Sequence, residues 1–358
     1  MSFLGDKTLK NHNIMKTNSS AKIFDYGVFG FIKINLRGAA QVMFQPSAWT
    51  GLLFLAGIFW GGYTTGYPAM AWGALLGLVI STITGFILNL PAEDGCQGLW
   101  GFNGILVGCA FPVFMGNTLE MWLSLVLCAA FTTWLRTGLN NVMKPWKVNS
   151  FTFPFVLSTW FFLLAAHVMR YLHPTHHAAH HAVHHAVHHA SVSADSFWGL
   201  VQAWLNGVSQ VFLIESWVTG ALFLIGLALC SRWAALWAAI GSALAMATSY
   251  FMGVPHHAIS AGLYGFSAVL TAIALATVFY RPCWRSALWA LFGIVITVFV
   301  QAAMNMWVEP YSIATLTGPF CVTTWLFLLP MFKLDEAQPD HSSWGAEIKQ
   351  HLTKEDEK

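Results

Sequence analysis

Residues Leu90 to Gly108 read LPAEDGCQGLWGFNGILVG, and the interpretation of the whole chain starts from this stretch. Part of it, GLWGFNGIL, returns in the second half of the chain as GLYGFSAVL, from Gly262 to Leu270. Similarity at a fixed spacing indicates an internal repeat.

Two more blocks recur in the same order and at nearly the same spacing. QVMF, which begins at Gln41, is matched by QVFL, which begins at Gln210. TFPF, which begins at Thr152, is matched by TGPF, which begins at Thr317. Three blocks in one order indicate that the chain consists of two homologous halves.

The composition is that of a membrane protein. Of 358 residues, 56% are hydrophobic and only 9% are charged, and the mean hydropathy is +0.59. Most charged residues lie before Gly38 or after Pro330. These values exclude an ordinary soluble domain, whose surface needs far more charge. The net charge of +2 gives no basic surface, so nucleic acid is excluded as a partner.

Each half contains five candidate membrane spans, since a crossing helix needs about 20 apolar residues and a shorter one can lie inside a bundle. The candidates are 49–66, 69–90, 101–117, 119–143 and 152–172, then 218–231, 233–252, 265–280, 285–307 and 315–332. Because five is odd, the second half must enter the membrane inverted relative to the first. Inverted repeats put a solute pathway at their interface.

The segments Pro91–Gly104 and Pro255–Ser267 carry glycines and polar residues in front of apolar helices. Either segment alone is compatible with a glycine-rich turn between helices. Their recurrence in both halves favours a pair of re-entrant half-helices, which are tolerated at membrane depth only against protein or a lumen.

We therefore predict an all-α integral membrane protein with about ten transmembrane helices plus two re-entrant half-helices, in two inverted homologous repeats. The predicted segments are a cytoplasmic N-terminal segment with an interfacial helix (1–37), repeat 1 (38–172), a His-rich extracytoplasmic loop (173–199), repeat 2 (200–332) and a cytoplasmic tail (333–358). The distribution of Lys and Arg places both termini in the cytoplasm.

The residues repeated beside the half-helices contain no ionisable group. They are Gln41, Phe44, Phe102, Leu106, Thr152, Gln210, Leu213, Phe266, Leu270 and Thr317. Apolar side chains at such positions are often core packing, and a Gln or Thr at a helix start is often a cap. A slot walled by Phe and Leu, with oxygens along one edge, would also suit a flat, neutral, dipolar solute.

With these motifs in view, the sequence resembles a bacterial urea transporter, of the family that vertebrate urea transporters share. The resemblance runs from about Arg37 to Leu329 and is carried by the long motif, its echo and the TFPF and TGPF pair. It implies a homotrimer in the cytoplasmic (inner) membrane, in which each protomer passes urea passively through its own pore. It implies no enzyme activity and no required cofactor.

The resemblance also implies roles for the repeated residues. Phe102 and Leu106 would wall one slot and Phe266 and Leu270 the other, with Phe44 and Leu213 adjoining. Gln41 and Gln210 would belong to a ladder of acceptors, and Thr152 and Thr317 would lie at a constriction in mid-pore. The chain departs from the family in one way that matters, because some bacterial relatives have Glu where Gln210 stands. Asn103 is echoed by Ser267, so the halves are not strictly symmetric.

Urea has four N–H donors and one carbonyl, so removing it from water needs replacement partners. Apolar walls without counter-charge reject ions. An ion-coupled carrier is disfavoured because the ionisable residues in the spans lie near span ends and are predicted to be interfacial; they are Glu120, Arg136, His167, Arg170 and Arg285. An ammonia, small-amide or water channel remains the alternative.

The stretch HPTHHAAHHAVHHAVHH runs from His173 to His189. Pairs spaced by four residues would share one helix face. Imidazole suits nickel, zinc or copper, so metal capture is one reading, and acid sensing and an unliganded low-complexity insertion are the others. The candidate ligands are His176, His177, His180, His181, His184, His185, His188 and His189.

Overall fold

The computed structural model describes residues 27–169, 171–172 and 196–334, and every regular element in these ranges is helical. The predicted all-α membrane fold is thereby confirmed for these ranges. The helices are α1 (Gly27–Gln41), α2 (Ala48–Thr64), α3 (Pro68–Ile87), α4 (Ala92–Cys96), α5 (Phe102–Met115), α6 (Leu119–Met143), α7 (Phe153–Ala166), α8 (Phe197–Ser209), α9 (Trp217–Cys230), α10 (Arg232–Phe251), α11 (His256–Ser260), α12 (Phe266–Ile273), α13 (Trp284–Val308) and α14 (Gly318–Leu328).

Four of the described helices, α3, α6, α10 and α13, are long and apolar enough to cross a membrane. A fifth crossing results if α8 and α9, which are bent by 73° at a short break, count as one span. The helices α5, α7, α12 and α14 are apolar but shorter. Each of these four helices lies within one of the predicted spans. The count of ten crossings stays a prediction.

The helices α1 and α8 start the two halves. α1 buries Ile34, Gly38 and Ala39 against the bundle, while Phe29 at its start is 85% exposed. The predicted segment boundaries at residues 37 and 199 fall inside α1 and α8. Both helices pack residues into the core, and the division of the chain into these segments stays a prediction.

The two re-entrant segments have the same local structure. α4 and α11 are five residues long, and each is followed by a tight turn that leads into a buried helix, α5 or α12. Gly98 and Gly262 occupy these turns with φ of +85° and +77°, where a side chain would meet the backbone of α1 or α8. Glycine is needed here for both conformation and close approach.

The helices α5 and α12 are enclosed by protein. Every residue of α5 except Val113 is buried, and so is every residue of α12. Such enclosure allows irregular backbone within the membrane, because its polar groups never face lipid.

Helices α3 and α5 approach until their backbones touch. Gly73 and Gly77 on α3 face Gly108 and Gly104 on α5, and a methyl group at any of the four would overlap the facing backbone. Each pair is spaced by four residues, which is the small-xxx-small pattern of closely packed membrane helices. The sequence analysis missed this pattern.

Helix α12 continues into a π-helical turn, Ala274–Val278. Before this turn, Leu270 in the second half matches Leu106 in the first. After it, the N-cap Cys283 of α13 matches the N-cap Thr118 of α6. The spacing between matching residues is one residue longer after the turn than before it, so the extra residue lies in the segment that contains the turn.

Candidate transport pathway between the two halves

The halves exchange matched hydrogen bonds between α2 and α9. Thr50 Oγ1 donates to Gly226 O at 2.8 Å, and Thr219 Oγ1 donates to Gly57 O at 2.9 Å. Thr219 matches Thr50 and Gly226 matches Gly57, at the spacing that relates Gln210 to Gln41. One contact made twice in opposite directions is typical of an interface with two-fold symmetry.

A second reciprocal pair involves the helices that start at the repeated TFPF and TGPF blocks. Trp160 Nε1 on α7 donates to Ala314 O at 2.8 Å, and Trp325 Nε1 on α14 donates to Asn149 O at 2.9 Å. Donors and acceptors again match between the halves, at the spacing that relates the two blocks. Two interhalf contacts in different parts of the molecule therefore have the same two-fold character.

Thr152 and Thr317 meet directly. Their Oγ1 atoms are 2.6 Å apart, both side chains are 2% exposed, and they precede α7 and α14. Each helix has a proline in its first turn, where a missing N–H costs nothing. A solute that passed between these hydroxyls would have to replace their mutual hydrogen bond.

Gln41 and Gln210 make equivalent hydrogen bonds. Gln41 Nε2 donates to Gln97 O, and Gln210 Nε2 donates to Ala261 O, both at 2.9 Å. The acceptors lie in the turns of the two re-entrant segments. With its amide nitrogen held in this way, each side chain can present its Oε1 atom as an acceptor.

The predicted wall residues lie in one continuous hydrophobic core. Phe102 and Leu106 project from α5 with exposures of 6% and 0%, and Phe266 and Leu270 project from α12 with 8% and 0%. Residues four apart share a helix face, so each pair can form one surface. Phe44 and Leu213, both partly buried, pack against the same core.

Phe44 belongs to an aromatic cluster that the sequence analysis did not predict. Its ring makes edge contacts with Phe151, Phe279 and Phe320 at centroid distances of 5.9 to 6.3 Å. Phe44 has a φ of 63° and Leu213 has 61°, an unusual backbone conformation for residues with side chains. Packing in the core therefore holds both backbones in place.

Asn103 is a further residue whose role was missed. Its Oδ1 accepts from Phe155 N at 3.1 Å, which joins α5 to the first turn of α7. Ser267, its counterpart, is fully buried, and its hydroxyl has no hydrogen-bond partner in the described structure. Asn103 stands inside the repeated motif, and its polarity in an apolar helix was the available signal.

Arg136 is buried in the protein and paired, which the sequence analysis did not predict. The residue is 9% exposed, and its Nη1 lies 3.0 Å from Asp94 Oδ2. Its guanidinium carbon lies over the Phe102 ring, 5.8 Å from the centroid. The carboxylate comes from α4, well before α6 in the chain, and compensates the buried charge.

No group of three or more His, Cys, Asp or Glu side chains that could hold a metal occurs in the described ranges. The eight histidines proposed as ligands in the sequence analysis lie between residues 173 and 195, outside the described residues.

Comparisons with known proteins show the family of this chain. A family model described as "urea transporter" matches residues 32–331. The chain is 29% identical over 302 residues to urea transporter 1 of Ovis aries and to that of Capra hircus, which covers 84% of this chain and 77% of each relative. It is 28% identical over 305 residues to urea transporter 1 of Rattus norvegicus, with the same shares covered. Since the family model spans well over half of the sequence, this chain belongs to the urea transporter family.

Proposed function

We propose that this protein is a channel that passes urea passively across the membrane, through a narrow uncharged pore between the two halves. The contact between Thr152 and Thr317 carries the proposal. Corresponding hydroxyls from the two halves meet at this buried point, and no charged group takes part in the contact. Transport by this family needs no cofactor, and the protein is not an enzyme.

The proposed pore has two slots. The first slot consists of Gln41, Phe44, Phe102 and Leu106, and the second slot consists of Gln210, Leu213, Phe266 and Leu270. Urea would lie flat between the apolar side chains, while Oε1 of the glutamine and nearby backbone carbonyls accept from its N–H groups. Each donor left without a partner would cost about 1–3 kcal/mol, so a ladder of acceptors removes most of the barrier.

The two slots would face opposite sides of the membrane. The reciprocal hydrogen bonds between α2 and α9 and between α7 and α14 support an inverted repeat, with the first half starting at α1 and the second at α8. We place both termini in the cytoplasm, the first slot at the cytoplasmic face and the protein in an inner membrane as a homotrimer. The excess of Lys and Arg on one side supports this orientation.

The test is urea entry into vesicles that contain the purified chain, followed by stopped-flow light scattering. Leu106→Arg places an unpaired charge in the first slot, and Thr317→Trp fills the constriction, so we expect both variants to abolish urea flux. Leu88→Arg and Thr64→Trp make the same replacements at exposed positions and should keep wild-type flux.

Normal flux in both Leu106→Arg and Thr317→Trp would contradict the proposed pore. Formamide, acetamide, glycerol, ammonia and water are measured in parallel, and faster entry of ammonia or water than of urea would favour the alternative channel. Accumulation of urea above its external concentration under a proton or sodium gradient would replace the passive channel with a coupled carrier.

A separate proposal concerns the histidines between His176 and His189. We propose that their imidazoles bind nickel or zinc, because neutral imidazole nitrogens are preferred ligands of both ions. Isothermal titration of the full chain against a variant that lacks residues 173–189 is the test. Equal heats from the two proteins would end this proposal.

A further inference from the structure

The Phe102 ring has a guanidinium cation over one of its two faces. The guanidinium carbon of Arg136 lies over the ring at 5.8 Å from its centroid, while Nη1 bonds Asp94 Oδ2 at 3.0 Å. The Arg136 side chain is 11% exposed and that of Asp94 is 36% exposed. The positive group is therefore enclosed beside the ring, and the carboxylate lies nearer the surface.

The second half has neutral residues at the matching positions. Gln301 corresponds to Arg136 and Ala258 corresponds to Asp94. Gln301 is 2% exposed, and its Nε2 donates to Thr315 Oγ1 at 2.7 Å and to Asn305 Oδ1 at 3.0 Å. Within the described part of the chain, no arginine or lysine lies over the ring of Phe266.

This difference matters because aromatic faces attract cations. A slot walled by phenylalanine suits urea, but it also suits guanidinium, which has the same planar three-branched shape and carries a positive charge. A ring with a fixed cation over one face binds a second cation on the other face less well, because the two like charges repel across a medium of low dielectric constant. The neutral solute does not experience this repulsion.

We propose that Arg136, held by Asp94, is a specificity-determining residue that makes the first slot reject cationic analogues of urea. The second slot lacks this device, so discrimination between neutral and charged solutes is concentrated at one end of the pore. The inference rests on the proposed function, because it requires Phe102 to line the urea pathway.

The experiment measures how strongly guanidinium inhibits urea flux through the full chain in vesicles, at concentrations far below those that unfold proteins and at constant ionic strength. In Arg136→Gln, which introduces the residue found at position 301, we expect the half-inhibitory guanidinium concentration to fall by about tenfold or more. Arg136→Lys keeps the charge and should stay close to wild type. Arg232→Gln removes a positive charge from the start of another helix and should also match wild type.

A charge series separates the electrostatic role from packing. Asp94→Asn leaves the arginine without its partner and should raise the half-inhibitory concentration. The double variant Asp94→Asn with Arg136→Gln leaves no buried unpaired charge and should fall between Arg136→Gln and wild type. Inhibition by thiourea, a neutral analogue, should not follow this order, whereas a general loosening of the slot would change both inhibitors together.

Equal guanidinium sensitivity in wild type, Arg136→Gln and the double variant would overturn the inference. The double variant keeps the test decisive if Arg136→Gln does not fold. Loss of the inference in this way leaves the proposed function intact, because the latter is tested by solute flux through wild type, Leu106→Arg and Thr317→Trp and not by sensitivity to guanidinium.

Discussion

The two re-entrant segments are anchored by the same hydrogen bond from different donors. Arg37 Nη1 donates to Cys96 O at 2.7 Å in the first half, and Asn206 Nδ2 donates to Ser260 O at 3.0 Å in the second. The backbone geometry of the two segments is shared, but the donor that anchors it is charged only in the first half. The comparison teaches that this repeated turn needs a hydrogen-bond donor from the preceding helix. The positive charge of Arg37 is not required for that hydrogen bond.

The contacts between neighbouring helices also differ between the two halves. In the first half, α3 and α5 touch through four glycines, whereas in the second half Gly241 on α10 faces Ala268 and Ala272 on α12. A methyl group at Gly241 would lie 2.9 Å from Ala268 O and from Ala272 Cβ and 3.1 Å from Val269 Cα, which is tight but less so than at the four glycines of the first half. The contact between α3 and α5 is therefore closer than the contact between α10 and α12.

The largest loss of stability should come from alanine at these glycines. Gly77→Ala must push α3 away from the backbone of Gly104 and should lower the free energy of unfolding by about 2–3 kcal/mol. Gly241→Ala should cost about 1 kcal/mol, because the nearest atoms lie farther from the added methyl group than at Gly77 and a smaller displacement of α10 relieves the contact. Thermal unfolding in detergent, followed by size-exclusion chromatography, measures both.

Gly138→Ala is the matched control, since nothing lies within 4 Å of the added methyl group on α6. It should leave the midpoint unchanged or raise it slightly, because alanine favours helix. Equal losses in Gly77→Ala and Gly241→Ala would show that the two interfaces are equally tight.

A smaller loss of stability is expected at Asn103, and none at its counterpart Ser267. Asn103→Ala leaves the buried Phe155 N–H without its acceptor and should cost about 2 kcal/mol. Ser267→Ala removes a hydroxyl that has no partner in the described structure and should be neutral or stabilising. The same unfolding assay applies, and a loss in Ser267→Ala as large as that in Asn103→Ala would contradict the assigned asymmetry.

The smallest difference is expected where the halves are most alike. Thr50→Val and Thr219→Val each remove one of the reciprocal hydrogen bonds between α2 and α9, and each should cost about 1 kcal/mol. The test compares the loss of unfolding free energy in the two variants, measured by the same thermal unfolding assay. A difference above about 1 kcal/mol would mean that the interface is not two-fold in its energetics.

Much of the fold could be predicted because hydrophobic runs and repeated blocks are local signals. The span predicted at 119–143 coincides with α6, and the span predicted at 233–252 lies one residue from α10. The resemblance to urea transporters implied that Thr152 and Thr317 lie at one constriction, and their hydroxyls do meet. That long-range contact came from the resemblance and not from a local pattern.

The charged contacts could not be predicted in the same way. Arg136 lies near the end of an apolar span, where arginine usually reaches the interface, and no pattern relates it to Asp94 on α4. The pairing depends on how the turn after α4 is placed against α6, which is a tertiary property. The burial of the C-terminal part of α1 was not predictable for a similar reason, because it depends on the neighbours of this helix.

The π-helical turn at Ala274–Val278 lies in the segment where the second half is one residue longer than the first. A wide turn holds one more residue than an α-helical turn, so a single inserted amino acid can be absorbed inside a helix without shifting what lies on either side. The spacing of the halves changes by one residue across this turn. The one-residue difference between the halves thus leaves both the upstream wall of α12 and the downstream start of α13 matched with their counterparts in the first half.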